Sequence, residues 1–181
     1  MATLLRILIL AIAVWLPVQI LICGIRVKAN QFGNPPISRP AFLLAKVSAA
    51  ISFILLILRA GFDPPHLSTI AEVVCIFLLL GGTIVFTLGL SRIGGSLRVG
   101  LPMEETTLVT SGLYRLTRNP IYVGMYWMMA ASLLYAFSWL NLLSAVAAVV
   151  LHHRIILAEE RFLATQFKDF QAYCSRVRRY L

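Results

Sequence analysis

The chain has 181 residues, of which 60% are apolar and only 13% are charged, and its formal net charge is +9. This composition excludes a soluble globular protein, in which roughly 45–50% of the residues are apolar. The positive charges are distributed among separate loops and not gathered with aromatic side chains on one face, so we expect no nucleic-acid partner. The composition therefore predicts a single membrane domain covering residues 1–181.

Five apolar stretches approach the roughly 20 residues that a helix needs to cross the hydrocarbon core of a membrane. Residues 76–80 are apolar on every face, whereas a transmembrane barrel requires alternating polar and apolar positions. We therefore predict an all-α fold, a polytopic membrane helical bundle with about five transmembrane helices. In chain order these are Leu4–Ile25, Phe42–Leu58, Ile70–Leu90, Ile121–Phe137 and Trp139–Leu157.

The distribution of lysine and arginine predicts how the helices are oriented. Of the 16 basic residues, four belong to the first loop, counting Lys46 with it, four to the third loop and six to the C-terminal tail. Basic loops remain on the cytosolic side of a membrane. We therefore expect the N-terminus outside, the C-terminus inside, and any charged site on the cytosolic face.

The chain divides into an N-terminal part, residues 1–90, with three helices, and a second part, residues 91–181. Helices four and five are expected to form a tight antiparallel hairpin that brings residue 120 near residue 158. Beyond Leu157, apolar residues recur every three or four positions among charges. This spacing predicts a cytosolic, C-terminal amphipathic helix at the membrane interface.

Few residues suggest a metal site. The three cysteines are far apart, and their spacing matches no zinc site and no disulfide framework. The neighbouring His152 and His153 are expected to be interfacial side chains. We therefore expect no metal.

The start of the fourth helix has features of an anion site. Asn119 suits the N-cap and Pro120 the first helical position, so the helix begins with free backbone N–H groups. Arg118 adds a full positive charge beside them. Tyr122 lies on the same face one turn later, and Gly124 would leave room for a flat group against the helix. The alternative is an ordinary loop-to-helix junction with an interfacial tyrosine.

A pair of acidic residues, Glu159 and Glu160, follows the fifth predicted helix. The hairpin would bring them near Arg118, which gives adjacent positive and negative groups that match a zwitterionic amino acid moiety. The alternative is a solvated helix face on which the acids pair with Arg154 and Arg161 at helical spacing.

These segments together resemble the isoprenylcysteine carboxyl methyltransferase and phospholipid methyltransferase superfamily. Asn119 stands where histidine is usual, as in bacterial-type members, and Lys168 and Phe170 also depart from the common pattern. The segments that carry the resemblance are Leu108–Tyr114, Arg118–Gly124, Glu159–Glu160 and the residues Phe167, Tyr173 and Val177.

The resemblance implies a methyltransferase that uses S-adenosylmethionine and no metal. It also implies a lipophilic acceptor, a small molecule or membrane lipid, that enters laterally from the bilayer. Residues 91–181 would then be the cofactor-binding half. Glu159 or Glu160 would take the ammonium group of the cofactor, and Arg98, in the cytosolic loop beside Gly100, would hold an anionic acceptor or, alternatively, serve only as an interfacial anchor. The cofactor-binding residues would be Gly100, Tyr114, Arg118, Asn119, Tyr122, Gly124, Glu159 and Glu160.

Several functions remain open from the sequence. The first is methylation of the carboxylate of an isoprenylcysteine-like substrate, which needs no base. The second is N-methylation of a phospholipid amine, which needs a base such as a glutamate or His153. The third is an NADPH-dependent membrane reductase of the related sterol reductase type. The fourth is a silent membrane protein that uses small residues such as Gly81, Gly82 and Gly89 for assembly.

Overall fold

The computed structural model describes residues 1–26, 34–93 and 107–181. The described residues form six α-helices and one short 3₁₀ helix, and no β-strand lies among them. The α-helices are α1 Ala2–Arg26, α2 Arg39–Phe62, α3 Thr69–Ile93, α4 Pro120–Tyr135, α5 Trp139–Gln166 and α6 Phe170–Arg176, and the 3₁₀ helix is Gly112–Arg115.

The structure confirms the predicted all-α membrane bundle, with one difference in length. In the described part of the chain, α1, α2, α3 and α5 are long and apolar enough to cross a membrane. Helix α4 has 16 residues, which rise about 24 Å and so fall short of a hydrocarbon core of about 30 Å. Its start is fixed by Pro120, and its last residue, Tyr135, is soon followed by the N-cap of α5, Ser138. The chain is an integral membrane protein.

The predicted end of the fifth helix was wrong. Helix α5 continues beyond Leu157 to Gln166, so the acidic pair lies inside it. The predicted amphipathic helix is therefore divided between the end of α5 and the seven-residue α6. Its apolar face packs within the protein, in a cluster made of Phe170, Tyr173 and Val177 with Leu108, Leu163, Phe167 and Cys174 around them.

Helices α3 and α4 pack at close range through two glycines. A Cβ atom on Gly124 would lie 2.5 Å from the carbonyl oxygen of Gly82, and one on Gly82 would lie 2.7 Å from that of Gly124. Small residues allow membrane helices to approach this closely. Helix α4 packs chiefly on α3 and α5 chiefly on α2, so the predicted α4–α5 hairpin is looser than expected.

A buried polar cluster joins α2, α4 and α5 within the bundle. Ser52 Oγ donates to Asn141 Oδ1 at 2.7 Å, and Ser132 Oγ donates to the Ser52 carbonyl at 2.7 Å. Asn141 Nδ2 in turn lies 3.0 Å from both Ser132 Oγ and the Ala136 carbonyl. Hydrogen bonds of this kind join helices where water is absent, so this cluster fixes how α2 and the start of α5 are placed against the end of α4.

Candidate active site

The C-terminal tail is hydrogen-bonded to the segment that leads into α4. The two segments form an isolated parallel bridge between Thr117 and Arg178. The Arg118 amide donates to the Arg178 carbonyl at 2.9 Å, and Thr117 Oγ1 donates to the Arg179 carbonyl at 3.0 Å. The tail therefore covers the point at which the chain enters α4.

The Arg118 side chain is held between the tail and α5, and its exposed fraction is 11%. Nη1 donates to the Val177 carbonyl at 2.6 Å and to the Cys174 carbonyl at 3.3 Å, and Nε donates to Glu160 Oε1 at 3.0 Å. Nη2 has no hydrogen-bond partner among the described residues. The guanidinium group is therefore fixed in place with one terminal nitrogen uncommitted.

Glu160 is paired with two arginines. Its Oε2 accepts from Nε and Nη2 of Arg179 at 3.0 and 2.8 Å, while its Oε1 accepts from Arg118. Its side chain is only 12% exposed. The hydrogen bonds to Glu160 raise the pKa of Arg179 above its ordinary value. The alternative expectation, pairing with Arg154 and Arg161, is wrong, because both partners come from other segments.

Asn119 occupies the N-cap of α4 and Pro120 the first turn, as predicted. The Asn119 side chain, however, makes no capping hydrogen bond within the described part of the chain. Its Nδ2 atom donates instead to the Arg179 carbonyl at 3.2 Å and, more weakly, to Glu160 Oε1 at 3.4 Å. Asn119 therefore helps to hold the tail against α5.

Gly124 does not serve the purpose expected from the sequence. A Cβ atom there would lie 2.5 Å from Phe86 N as well as from the Gly82 carbonyl oxygen, so the open side of Gly124 is filled by α3. A flat ligand group cannot lie on that side. The glycine is required by the close packing of two helices.

Glu159, next in sequence to Glu160, has different surroundings. The Tyr122 hydroxyl donates to it, with distances of 3.3 and 3.4 Å to the two carboxylate oxygens. Among the described residues, no lysine or arginine lies within ion-pair distance of it. The structure therefore brings Arg118, Tyr122 and the two glutamates together, as the sequence predicted, and within the described ranges Glu159 has no direct ion pair.

Two residues beside Glu159 lie where the sequence did not predict them, because His152, expected at the membrane interface, is buried and Lys46, counted with the first loop, belongs to α2. His152 is 1% exposed, and its ring centroid lies 5.6 Å from that of Tyr122. Lys46 Nζ, from the second turn of α2, lies 3.4 Å from His152 Nε2. Lys46 had been counted with the first loop, although it belongs to an apolar run. An ionisable residue inside such a run is costly and often functional, and that was the available signal.

A further set of polar side chains lies one turn beyond Tyr122. It consists of Tyr126 on α4, His153 on α5 and Tyr180 near the C-terminus. His153 Nδ1 lies 2.7 Å from the Tyr180 hydroxyl. The Tyr126 ring is 6.1 Å from that of Tyr180. The Tyr126 hydroxyl is buried and has no hydrogen-bond partner within residues 1–26, 34–93 and 107–181. This side of the site holds a polar group that the described chain does not satisfy.

Tyr114 supports the tail through its backbone. The Tyr173 hydroxyl donates to the Tyr114 carbonyl at 2.6 Å, and both rings are buried. Burial raises the pKa of Tyr173 to about 12 and that of Tyr114 above its usual range. Both hydroxyls therefore stay protonated near neutral pH. The remaining two predicted site residues, Arg98 and Gly100, lie outside the described residues.

The family model for phospholipid methyltransferases matches residues 70–169, more than half of the chain. The chain belongs to this family. The match confirms the resemblance drawn from the sequence motifs and identifies a membrane methyltransferase. No curated protein and no solved structure matches the chain.

The matched segment of this methyltransferase contains α3 to α5 and all the site residues from Tyr114 to Glu160. It excludes Lys46 on α2 and the tail residues Tyr173 and Arg179. The structure thus adds contacts from both ends of the chain to a site whose centre lies within the family match.

Proposed function

We propose that the chain is an S-adenosylmethionine-dependent methyltransferase that acts on a lipophilic acceptor. The observation that carries this proposal is the contrast within the acidic pair, because Glu160 is neutralised by two arginines and Glu159 has none. A carboxylate without a countercharge, supported by the Tyr122 hydroxyl, suits an ammonium group. The family membership supports the same chemistry.

The described residues fit the amino acid moiety of this cofactor. Glu159 would accept hydrogen bonds from its ammonium group, and Arg118 Nη2 would donate to its carboxylate. Tyr126, one turn beyond Tyr122 on α4, carries a buried hydroxyl beside the ring of Tyr180. A ring at either position would favour a sulfonium through a cation–π contact. Glu160 and Asn119 would act indirectly, by holding Arg118 and the tail.

S-adenosylmethionine supplies, when bound, a sulfonium methyl group that passes to an acceptor oxygen or nitrogen as the carbon–sulfur bond breaks and a neutral thioether remains. The protein would contribute alignment of the acceptor and exclusion of water by the tail. Arg118, just before the start of α4, and Tyr173, in α6, both donate hydrogen bonds that help to hold the tail in place.

We favour an isoprenylcysteine-like carboxylate as the acceptor, because a carboxylate is already nucleophilic and requires no base. The second candidate is a phospholipid amine, which the description of the matched family supports. An amine must first lose its proton, and Glu159 or His153 has suitable chemistry to accept it. We place this reaction on the cytosolic side, following the distribution of basic residues.

Calorimetry of the full chain in uncharged detergent, titrated with S-adenosylhomocysteine and separately with NADPH, tests the proposal. We expect binding of S-adenosylhomocysteine and none of NADPH. Transfer of a labelled methyl group to N-acetyl-S-farnesylcysteine or to phosphatidylethanolamine then identifies the acceptor. Binding of NADPH alone would contradict the proposal and favour the reductase.

A further inference from the structure

Lys46 is a charged side chain in unusual surroundings. It lies seven residues after the start of α2, which places it about 10 Å along the helix axis from Arg39. Its neighbours Leu43, Leu44 and Val47 are exposed on the outside of the bundle. Lys46 itself is half-buried and turns toward α5. The side chain therefore lies between the lipid-facing surface and the polar interior of the site.

The partner of Lys46 is a neutral imidazole. His152 Nδ1 lies 2.8 Å from the carbonyl oxygen of Ala148, to which only a protonated nitrogen can donate. Nε2 is then the acceptor for the Lys46 ammonium group at 3.4 Å. His152 and the ring of Phe42, whose centroid lies 5.1 Å from Lys46 Nζ, therefore orient the ammonium group, and neither of them carries a compensating negative charge.

The described residues hold no carboxylate within ion-pair distance of Lys46. Glu159 lies two turns beyond His152 on α5, and His152 is the residue that contacts Lys46. If Glu159 binds the ammonium group of the cofactor, that group neutralises the negative charge of Glu159. Among the described residues, no other carboxylate is then left to pair with the Lys46 ammonium group, which favours an external anion at this position.

We propose that Lys46 binds the anionic oxygen group, a carboxylate or a phosphate, of the lipophilic acceptor. An acceptor that enters between lipid-facing residues of α2 meets Lys46 before it reaches Glu159 and Tyr122. His152 holds the ammonium group at this point, and the acyl or isoprenyl chain remains along Leu43 and Val47. The inference rests on the proposed function and assigns an acceptor-binding residue outside the segment matched by the family.

The carboxylate and phosphate forms of this proposal lead to different product behaviour. Methylation of a carboxylate removes its negative charge, so the neutral ester no longer pairs with Lys46 and leaves for the bilayer. A phospholipid retains its phosphate after N-methylation and would remain bound for further transfers.

The test measures equilibrium binding of matched probes to the full chain in dodecyl maltoside, with and without S-adenosylhomocysteine. One pair is N-acetyl-S-farnesylcysteine and its neutral methyl ester, and the other is a short-chain phosphatidylethanolamine and the corresponding diacylglycerol. We expect the wild-type chain to prefer, in one of the two pairs, the member that carries the carboxylate or the phosphate group by about tenfold or more. The pair that shows the preference identifies the acceptor as a carboxylate or a phosphate.

Three substitutions assign that preference to Lys46. Lys46→Met should abolish it, Lys46→Arg should retain most of it, and Arg39→Gln, which removes an exposed cation from the same helix, should leave it unchanged. Affinity for S-adenosylhomocysteine should remain within about twofold in all three. If Lys46→Met does not fold, Lys46→Gln takes its place.

Two results would overturn the proposal: no anion preference in the wild-type chain, or a preference that survives Lys46→Met. An equal loss of acceptor and S-adenosylhomocysteine binding would also overturn it, because Lys46 would then belong to the cofactor site. Failure of the wild-type chain to bind S-adenosylhomocysteine counts against the proposed function alone, since the anion preference is also measured without that ligand.

Discussion

Glu159 and Glu160 are adjacent on one helix, yet they lie in opposite electrostatic surroundings. Glu160 faces the tail and the start of α4, where two guanidinium groups bind both of its oxygens. Glu159 faces Tyr122 and the interior of the bundle, where the nearest contact is a hydroxyl. The side chains of successive helical residues point about 100° apart around the helix axis. The two carboxylates therefore lie on different faces of α5.

This difference assigns different tasks to two residues of the same type. A buried carboxylate that is fully paired holds segments together, and removal of it leaves uncompensated charges. A carboxylate with one neutral partner has capacity for a ligand. The acidic pair therefore combines a structural residue with a binding residue, and separate substitutions should separate their effects.

The largest effect is expected for Glu160→Gln. It removes the negative charge shared by Arg118 and Arg179, and breaking a buried ion pair from one side costs about 3 kcal/mol. For a chain of this size we expect the midpoint of thermal unfolding in detergent to fall by roughly 6–12 °C. Differential scanning fluorimetry measures this directly.

Arg161→Gln provides the control for this substitution. Arg161 is the next residue on α5 and is exposed, so its loss should change the midpoint by less than about 2 °C. Equal midpoints for Glu160→Gln and Arg161→Gln would show that the tail does not depend on the arginine pairs.

Glu159→Gln is expected to have a smaller effect. It should change ligand binding and leave the stability of the fold unchanged. Glutamine keeps an oxygen for the Tyr122 hydroxyl, so the unfolding midpoint should remain close to that of the wild-type chain. The lost charge should weaken S-adenosylhomocysteine binding by about 10- to 100-fold, the range for a hydrogen bond to a charged group. Calorimetry on the folded variant measures this.

Glu160→Gln serves as the comparison. Its affinity for S-adenosylhomocysteine is measured at a temperature below its own unfolding midpoint. If it lowered S-adenosylhomocysteine affinity as much as Glu159→Gln while remaining folded, the two carboxylates would share one task. The assignment of Glu159 to the ammonium group would then fail.

Much of the fold could be predicted because apolar runs and charges in membrane proteins obey simple rules. The five long helices were located to within a few residues at most ends. The end of α5 was not, since the acidic pair directly after the apolar run suggested an exit from the membrane. The interior of the protein accommodates these residues because Arg118, Arg179 and Lys46 approach from other segments.

The site could be predicted only where its residues are close in sequence or belong to a recognised motif. Arg118, Tyr122 and the glutamates satisfy this condition. Arg179 and Tyr173 do not, because their roles depend on how the tail folds back over the start of α4. Gly124 was assigned to a ligand because a missing side chain in a sequence does not indicate which neighbour fills the space.

The smallest effect concerns the hydrogen bond that holds the tail in position for Arg179 to reach Glu160. Tyr173→Phe removes the hydroxyl that donates to the Tyr114 carbonyl, and near neutral pH this should cost about 1 kcal/mol of unfolding free energy. The pKa of Tyr173 is raised by burial from 10.0 to about 12. The unfolded chain therefore ionises this group first as the pH rises.

The wild-type chain should have a larger free energy of unfolding than Tyr173→Phe. This difference should be fully present below pH 10.0 and should be lost as the pH rises to about 12. Denaturant unfolding of both chains across this interval measures the difference, and the phenylalanine variant corrects for every other group that titrates there. A difference independent of pH would mean that the Tyr173 hydroxyl is in contact with water and does not hold the tail on the Glu160 side of the site.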